Sequence, residues 1–181
     1  MVDELRIAIT PVIPTEHEGH LIVRLLEDGL YNTIHIRHPE ASMRDMITII
    51  EDVPQRWHEA LHIHGHFDLV NEYNLGGLHL NRRCPTPPAG YHGVLSASCH
   101  NIVEIGRCQD AGLNYVTLSP VFNSISKPGY KGAFSDEDLQ ALDQFTIKIV
   151  ALGGVTHDNI QKLKPYNFSG YAMLGGVPLL N

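Results

Sequence analysis

The chain has 181 residues, 43% of them hydrophobic, and a formal net charge of −7. This composition excludes a disordered chain and predicts one globular domain with a buried core. The negative charge and the lack of any Lys- and Arg-rich run argue against a nucleic-acid surface. No apolar stretch approaches the ~18 residues of a membrane span, and three cysteines without CxxC spacing fit a reduced, cytoplasmic compartment.

Strand-like and helix-like stretches alternate along the chain. The first half predicts strands over 5–10, 32–38, 61–65 and 77–81, with helices over 16–28, 42–53 and 67–73. Pro85, Pro87 and Pro88 then forbid a regular helix, so a loop is predicted after the fourth strand. The second half predicts strands over 93–98, 114–120, 147–152 and 170–174, with helices over 101–111, 135–142 and 157–163.

Eight strands alternating with helices predict a parallel sheet. We therefore expect an α/β fold, a (β/α)8 TIM barrel formed by residues 1–181 as a single domain. A loop replaces helix four. Helix eight is expected to be missing or truncated, because only five residues follow Gly176.

Two glycine pairs close the last two predicted strands, Gly153-Gly154 and Gly175-Gly176. The loops after strands seven and eight of such barrels commonly bind phosphate, since bare backbone N–H groups there can surround an anion. The pairs predict a phosphate site, and two ordinary tight turns are the alternative. The loop beyond strand six would add the hydroxyls of Ser124 and Ser126 and the amine of Lys127.

Alternation along the strands places a polar set of side chains on the inward face. The set comprises His35, Arg37, His62, His64, His79, Asn81, Ser96, Ser98 and His100. Barrel interiors are normally filled by apolar side chains, so this set predicts a solvated site at the carboxyl ends of the strands. Because it contains no Asp, Glu or Cys, we expect mutually hydrogen-bonded histidines and no metal site.

Six motifs, in order, resemble those of the thiamine phosphate synthase and TenI thiazole tautomerase family. They are IHIR at 34–37, GLHL at 77–80, SCH at 98–100, SPVFNSISK at 119–127, ALGGV at 151–155 and GYAMLGG at 170–176. The resemblance covers nearly the whole chain and implies a (β/α)8 barrel.

The resemblance also suggests roles for residues of the predicted site. The candidate catalytic residues are His100, Arg37, Lys127 and His79. The candidate substrate-binding residues are His35, His64, Ser98, Ser124, Ser126, Gly153, Gly154, Leu174, Gly175 and Gly176. Within this set, Ser124, Ser126, Gly154, Leu174 and Gly175 would hold a thiazole phosphate. Arg37, Ser98 and Lys127 would face a pyrimidine diphosphate or its replacement.

The sequence departs from the synthase pattern where synthases of this family hold Mg²⁺. By resemblance, His64-Gly65 stands in place of an Asn-Asp pair, Cys84 near a second Asp, and Pro39 in place of a diphosphate-facing lysine. Mg²⁺ prefers hard oxygen ligands. We therefore expect a TenI-type tautomerase that needs no cofactor and uses His100 as general acid and base.

Two other functions stay open. One is a thiamine phosphate synthase, which would use Mg²⁺, and the other is a non-catalytic protein that binds thiazole phosphate or thiamine phosphate. In each case the expected partner is a small-molecule thiazole phosphate or thiamine phosphate, with no nucleic acid and no membrane. Whether the chain forms a homodimer is left open.

Overall fold

Eight parallel strands form a closed barrel in a computed structural model that describes residues 4–123 and 133–174. Each strand pairs with the next along the chain, and the last strand pairs with the first. The strands are β1 (Leu5–Ile9), β2 (Thr33–Ile36), β3 (Leu61–Ile63), β4 (Gly77–Leu80), β5 (Val94–Cys99), β6 (Tyr115–Leu118), β7 (Lys148–Ala151) and β8 (Gly170–Met173). The predicted barrel is thus confirmed.

Helices cross over between most neighbouring strands, as parallel pairing requires. The α-helices are α1 (Glu18–Glu27), α2 (Met43–Glu51), α3 (Leu69–Glu72), α4 (Ile102–Asp110) and α5 (Asp136–Gln140). Short 3₁₀ helices cover Gln55–Ala60, Ala141–Gln144 and Ile160–Leu163. Among the described helices, none is both long and apolar enough to cross a membrane.

Local capping chemistry sets several helix boundaries. Ser42 begins α2, because its hydroxyl accepts the Asp45 N–H while the Asp45 carboxylate accepts the Ser42 N–H at 2.9 Å. Ser135 and Asp138 repeat this arrangement at α5. Gly29 follows α1 with a φ of +67°, which a residue with a side chain adopts only at a cost.

Two predicted helices are shorter than expected. The helix predicted over 157–163 is a single 3₁₀ turn, Ile160–Leu163, because Thr156 and Asn159 form a local turn before it and Pro165 follows it. The helix predicted over 67–73 is reduced to α3, which lies between the left-handed residues His66 and Asn74. The loop predicted after β4 is confirmed, and the prediction for helix eight lies outside the described residues.

The apolar core lies mainly between the strands and the surrounding helices. Outward side chains such as Ile34, Ile63 and Leu78 are fully buried against α1, α2 and α3. A second apolar cluster packs α4 and α5 against β5, β6 and β7. Inside the barrel the apolar cluster is small, with Ile7, Ile9, Tyr115, Val150 and Ala172 at its centre. Much of the interior is therefore available for polar side chains.

Candidate active site at the barrel mouth

Four histidines from three adjacent strands meet inside the barrel near its carboxyl end. His35 on β2 is in register with His62 on β3, and their rings stack with centroids 5.4 Å apart. His64, one residue beyond β3, stacks on His79 of β4 at 4.2 Å. The inward orientation predicted from strand alternation brings these four rings together.

A continuous line of hydrogen bonds crosses the barrel through this cluster. The Tyr115 hydroxyl lies 2.9 Å from His62 Nδ1 and 2.6 Å from His35 Nε2. His35 Nδ1 lies 3.0 Å from His64 Nε2, which confirms hydrogen bonding between histidines. Tyr115 is a site residue that sequence reasoning missed. Its position on the inward face of β6 is the signal that could have found it.

The hydroxyls around His79 fix which of its ring nitrogens carries the proton. The Ser96 hydroxyl donates to the Leu78 carbonyl at 3.2 Å, so its oxygen accepts from His79 Nδ1–H at 2.9 Å. His79 Nε2 is then unprotonated and accepts from the Ser98 hydroxyl, also at 2.9 Å. Nε2 therefore holds a lone pair on the Ser98 side of the ring, two residues nearer the carboxyl end of β5 than Ser96.

The buried histidines are neutral near pH 7. Burial lowers the pKa of His62 to about 4, and burial, with smaller contributions from His62 and Arg37, lowers the pKa of His79 to about 3. Burial and the neighbouring histidines hold the pKa of His35 and His64 well below the usual value. Neutral imidazoles can donate and accept hydrogen bonds and can ligate metals.

Arg37 supplies positive charge at the mouth. Its guanidinium lies near enough to His64 and His79 to lower their pKa. The backbone holds it in place, since the Arg37 N–H donates to the Thr10 hydroxyl at 2.9 Å. The only described lysine on a strand, Lys148, begins β7 at the opposite end of the barrel.

A second buried polar cluster supports the ends of β1 and β2. His38 Nε2 lies 2.6 Å from the Glu18 carboxylate and 3.3 Å from the Thr10 hydroxyl, with both the His38 and Glu18 side chains fully buried. Sequence reasoning missed this cluster, because Glu18 and His38 are separated by the whole of α1 and β2. The cluster positions Thr10, which in turn holds the Arg37 backbone.

His100 lies apart from the histidine cluster. It is exposed after β5, where its Nδ1 is 3.0 Å from the Ser119 carbonyl and its backbone N–H donates to Glu104 at 2.7 Å. The neighbouring Asn101 caps α4. Of the candidate residues, the structure brings together Arg37, His35, His64, His79 and Ser98. It leaves His100 at the rim between β5 and β6.

The first glycine pair packs against the loop that follows β6. Gly153 and Gly154 have φ angles of +89° and +67°. A Cβ on Gly153 would lie 2.7 Å from Pro120 Cα, and one on Gly154 would meet the Asn123 carbonyl oxygen. Close packing of two loops thus explains the glycines without a ligand. Within 4–123 and 133–174, neither glycine N–H has an acceptor.

The remaining candidates beyond β6 and β8 have fewer structural observations. Leu174 is exposed directly after β8. The other five lie outside the described residues: Ser124, Ser126, Lys127, Gly175 and Gly176. Their assignment to a phosphate site stays a prediction.

The closed barrel of parallel strands with a polar carboxyl-end mouth defines an α/β barrel of the TIM class. A family model described as thiamine monophosphate synthase matches residues 7–177. A solved thiamine phosphate pyrophosphorylase from Bacteroides thetaiotaomicron is 31% identical, with a TM-score of 0.82 over 96% of this chain and 83% of that one. The chain belongs to the thiamine monophosphate synthase family of enzymes.

More distant relatives carry equivalent names. A thiamine-phosphate synthase from Clostridium tetani is 22% identical over 173 residues, which are 88% of this chain and 82% of the relative. A thiamine phosphate pyrophosphorylase from Pyrococcus furiosus has the same fold, with a TM-score of 0.78 at 19% identity over 99% of this chain and 91% of that one. The expectation of a TenI-type tautomerase was wrong, because these relatives are synthases and support the alternative function.

The residues at the mouth do not fit the Mg²⁺ that the family resemblance implies for a synthase. By that resemblance, His64 and Gly65 stand where synthases carry the first carboxylate, and Cys84 stands near the second. The one cluster with metal-ligand spacing in the described ranges is His35, His64 and His79, which offers only imidazole nitrogen. Mg²⁺ requires oxygen ligands, so this cluster is unsuited to holding it.

Proposed function

We propose that this chain is a thiamine phosphate synthase, a transferase that joins hydroxymethylpyrimidine diphosphate to a thiazole phosphate. The observation that carries this proposal is the match of residues 7–177 to the family model. The similarity to the Bacteroides thetaiotaomicron pyrophosphorylase over 96% of this chain supports it further.

The transfer exchanges one bond for another. A C–N bond forms between the pyrimidine methylene carbon and the thiazole nitrogen. The C–O bond to the diphosphate breaks, and the diphosphate leaves with the bonding electron pair. Negative charge therefore develops on the leaving group, and fixed positive charge beside it lowers the barrier.

Arg37 is the residue best placed to stabilise that charge. Its charge acts on His64 and His79, whose pKa it helps to lower, and its backbone N–H is anchored to the Thr10 hydroxyl. The neutral histidines add hydrogen-bonding groups to the site but no positive charge. The N–H groups of Gly153 and Gly154, which have no acceptor within 4–123 and 133–174, support a site for the thiazole phosphate.

A second candidate function is binding of thiazole phosphate or thiamine phosphate without catalysis. The observation that favours it is the replacement of both magnesium carboxylates at His64-Gly65 and Cys84. Without such ligands, a departing diphosphate is harder to stabilise.

The experiment is an assay of the purified chain with both substrates, in parallel with Mg²⁺, Mn²⁺, Zn²⁺ and chelator. Formation of thiamine phosphate and pyrophosphate is expected in at least one of these conditions. Arg37→Ala should lower kcat by about 10²-fold, whereas Arg44→Ala, an exposed arginine on α2, should leave it unchanged. Binding of thiazole phosphate without product in every condition would overturn the transferase proposal and support the second candidate.

A further inference from the structure

We propose that His35, His64 and His79 form a binding site for a divalent transition metal such as Zn²⁺, replacing the oxygen-ligand magnesium site of related synthases. This proposal departs from our expectation that the chain has no metal site, and the experiment below decides between the two. The proposal concerns metal binding by the free protein and does not depend on the transferase activity.

The geometry of the three rings suits one ion. One ring nitrogen from each histidine lies within 4.8 Å of the other two. His35 Nδ1 and His64 Nε2 are already 3.0 Å apart. Two nitrogens bound to a tetrahedral ion at ~2.0–2.1 Å are separated by roughly 3.3 Å. The His64 and His79 rings are stacked at an interplanar angle of 21°, so an ion would require them to rotate until their nitrogens converge.

In the metal-free protein the ligand nitrogens are engaged in hydrogen bonds, since His79 Nε2 accepts from the Ser98 hydroxyl and His35 Nδ1 lies 3.0 Å from His64 Nε2, so an ion would displace both bonds. The Ser96 contacts place the proton of His79 on Nδ1, so Nε2 can ligate. His35 Nε2 is 2.6 Å from the Tyr115 hydroxyl and can donate to it, which leaves His35 Nδ1 unprotonated. Metal-bound histidines usually donate their second N–H to such a fixed partner, which orients the ring. Two of the three ligands have that partner here.

The chemistry of the donors selects the metal. Three neutral imidazoles suit Zn²⁺, Co²⁺, Ni²⁺ and Cu²⁺ and exclude Mg²⁺. A site with three protein ligands keeps an open position for an exchangeable ligand. Because the Arg37 charge acts on both His64 and His79, we expect an anionic ligand in that position.

The test measures metal binding directly on the chelator-treated parent protein at about pH 7.5, without substrates. Zn²⁺ is titrated in competition with a chromophoric chelator, and Co²⁺ is added to a second sample to record its visible absorption. We expect about one tightly bound ion per chain and the absorption of tetrahedral Co²⁺. The competing chelator removes ions held weakly by the other histidines.

Variants locate the ion. His64→Gln and His79→Gln should each weaken Zn²⁺ binding by about 10²-fold or more and abolish the Co²⁺ spectrum. Ser96→Ala, which leaves all three ligands in place but frees the His79 ring, should weaken binding by about 10-fold. His92→Gln, which replaces an exposed histidine in the loop after β4, should bind as the parent does. Circular dichroism of each metal-free variant verifies that it is folded.

The proposal fails if the parent does not retain Zn²⁺ against the chelator. It also fails if folded His64→Gln and His79→Gln bind Zn²⁺ with the affinity of the parent, because the ion would then lie elsewhere. The metal titration contains no substrate, so it is independent of the activity assay described above. A protein that binds Zn²⁺ but forms no thiamine phosphate would contradict the transferase proposal alone. A protein that forms thiamine phosphate but does not retain Zn²⁺ would contradict the metal site alone.

Discussion

At the scale of single residues, the structure turns a group of histidines into a neutral, hydrogen-bonded cluster. His62 and His35 share the Tyr115 hydroxyl, and His79 lies between the hydroxyls of Ser96 and Ser98. These partners accept or donate a hydrogen bond without requiring a charged ring. Several imidazoles are thereby accommodated inside the barrel in their neutral form, and burial makes their protonation unfavourable.

This cluster predicts a loss of stability in mild acid. The folded-state pKa is about 3 for His79 and about 4 for His62, below the ~6.5 of an unfolded chain. The unfolded state therefore binds more protons once the pH drops below ~6.5, and the free energy of unfolding falls toward pH ~4. From pH 7 to pH 5, each such histidine accounts for a loss of about 2 kcal/mol.

Urea unfolding of the chain at pH 7 and pH 5, with chelator present, measures this loss. His79→Gln should lose about 2 kcal/mol less than the parent between the two pH values. His92→Gln is the control and should retain the dependence of the parent. An unchanged pH dependence in His79→Gln would show that folding does not lower the pKa of His79.

At the scale of elements, the loops at the carboxyl ends of the strands are held by backbone contacts. The loop after β7 accepts the N–H groups of Val121 and Phe122 through the Leu152 and Gly153 carbonyls, each at 2.9 Å. This contact ties the loop after β6 to the loop after β7. The Gly153-Gly154 pair therefore connects these two loops, in addition to being a candidate phosphate site.

Two glycine substitutions separate backbone strain from steric packing. Gly112 has a φ of +75° and open space around it, whereas Gly154 has a φ of +67° and faces the backbone of residues 122 and 123. Gly112→Ala should lower the free energy of unfolding by about 1 kcal/mol, the cost of the left-handed conformation. Gly154→Ala should lower it by about 3 kcal/mol, because overpacking is added.

Urea midpoints of the two variants, measured beside the parent, make this comparison. Equal losses would mean that the loop after β6 moves away from the new methyl group at little cost. In that case the contacts between the loops after β6 and β7 would contribute less to the free energy of unfolding than their number and distances indicate.

At the scale of the whole molecule, closure of the barrel joins two apolar halves. One half packs α1, α2 and α3 on β1 to β4 and β8, and the other packs α4 and α5 on β5, β6 and β7. The seams between them are β4 with β5, paired over four residues, and β7 with β8, paired over two. Neither seam is a free sheet edge at which one half could separate.

We expect both halves to unfold in a single urea transition. Trp57, the only tryptophan, packs on the first half and reports its unfolding by fluorescence. Phe145→Trp in a Trp57→Phe background reports the second half. The two midpoints and far-ultraviolet circular dichroism should coincide, as expected for one cooperative unit. Separate midpoints would show that each half is stable without the other.

The sequence by itself determined the order of strands and helices, the loop after β4, the helix starts at Ser42 and Ser135, and the inward face of β2, β3 and β4. These features depend on neighbours a few residues apart, through strand alternation and capping. The same local patterns cannot separate two branches that share a barrel and its motifs. The tautomerase expectation, drawn from departures at His64-Gly65 and Cys84, was wrong for that reason.

Only the tertiary structure decided which side chains meet across the barrel. Tyr115 contacts His35 from 80 residues away, Glu18 contacts His38 across α1 and β2, and Gly154 lies against the loop after β6. It also separated His100 from the histidine cluster. Such pairings depend on how the strands tilt and stagger when the barrel closes, and that geometry is a property of all eight strands together.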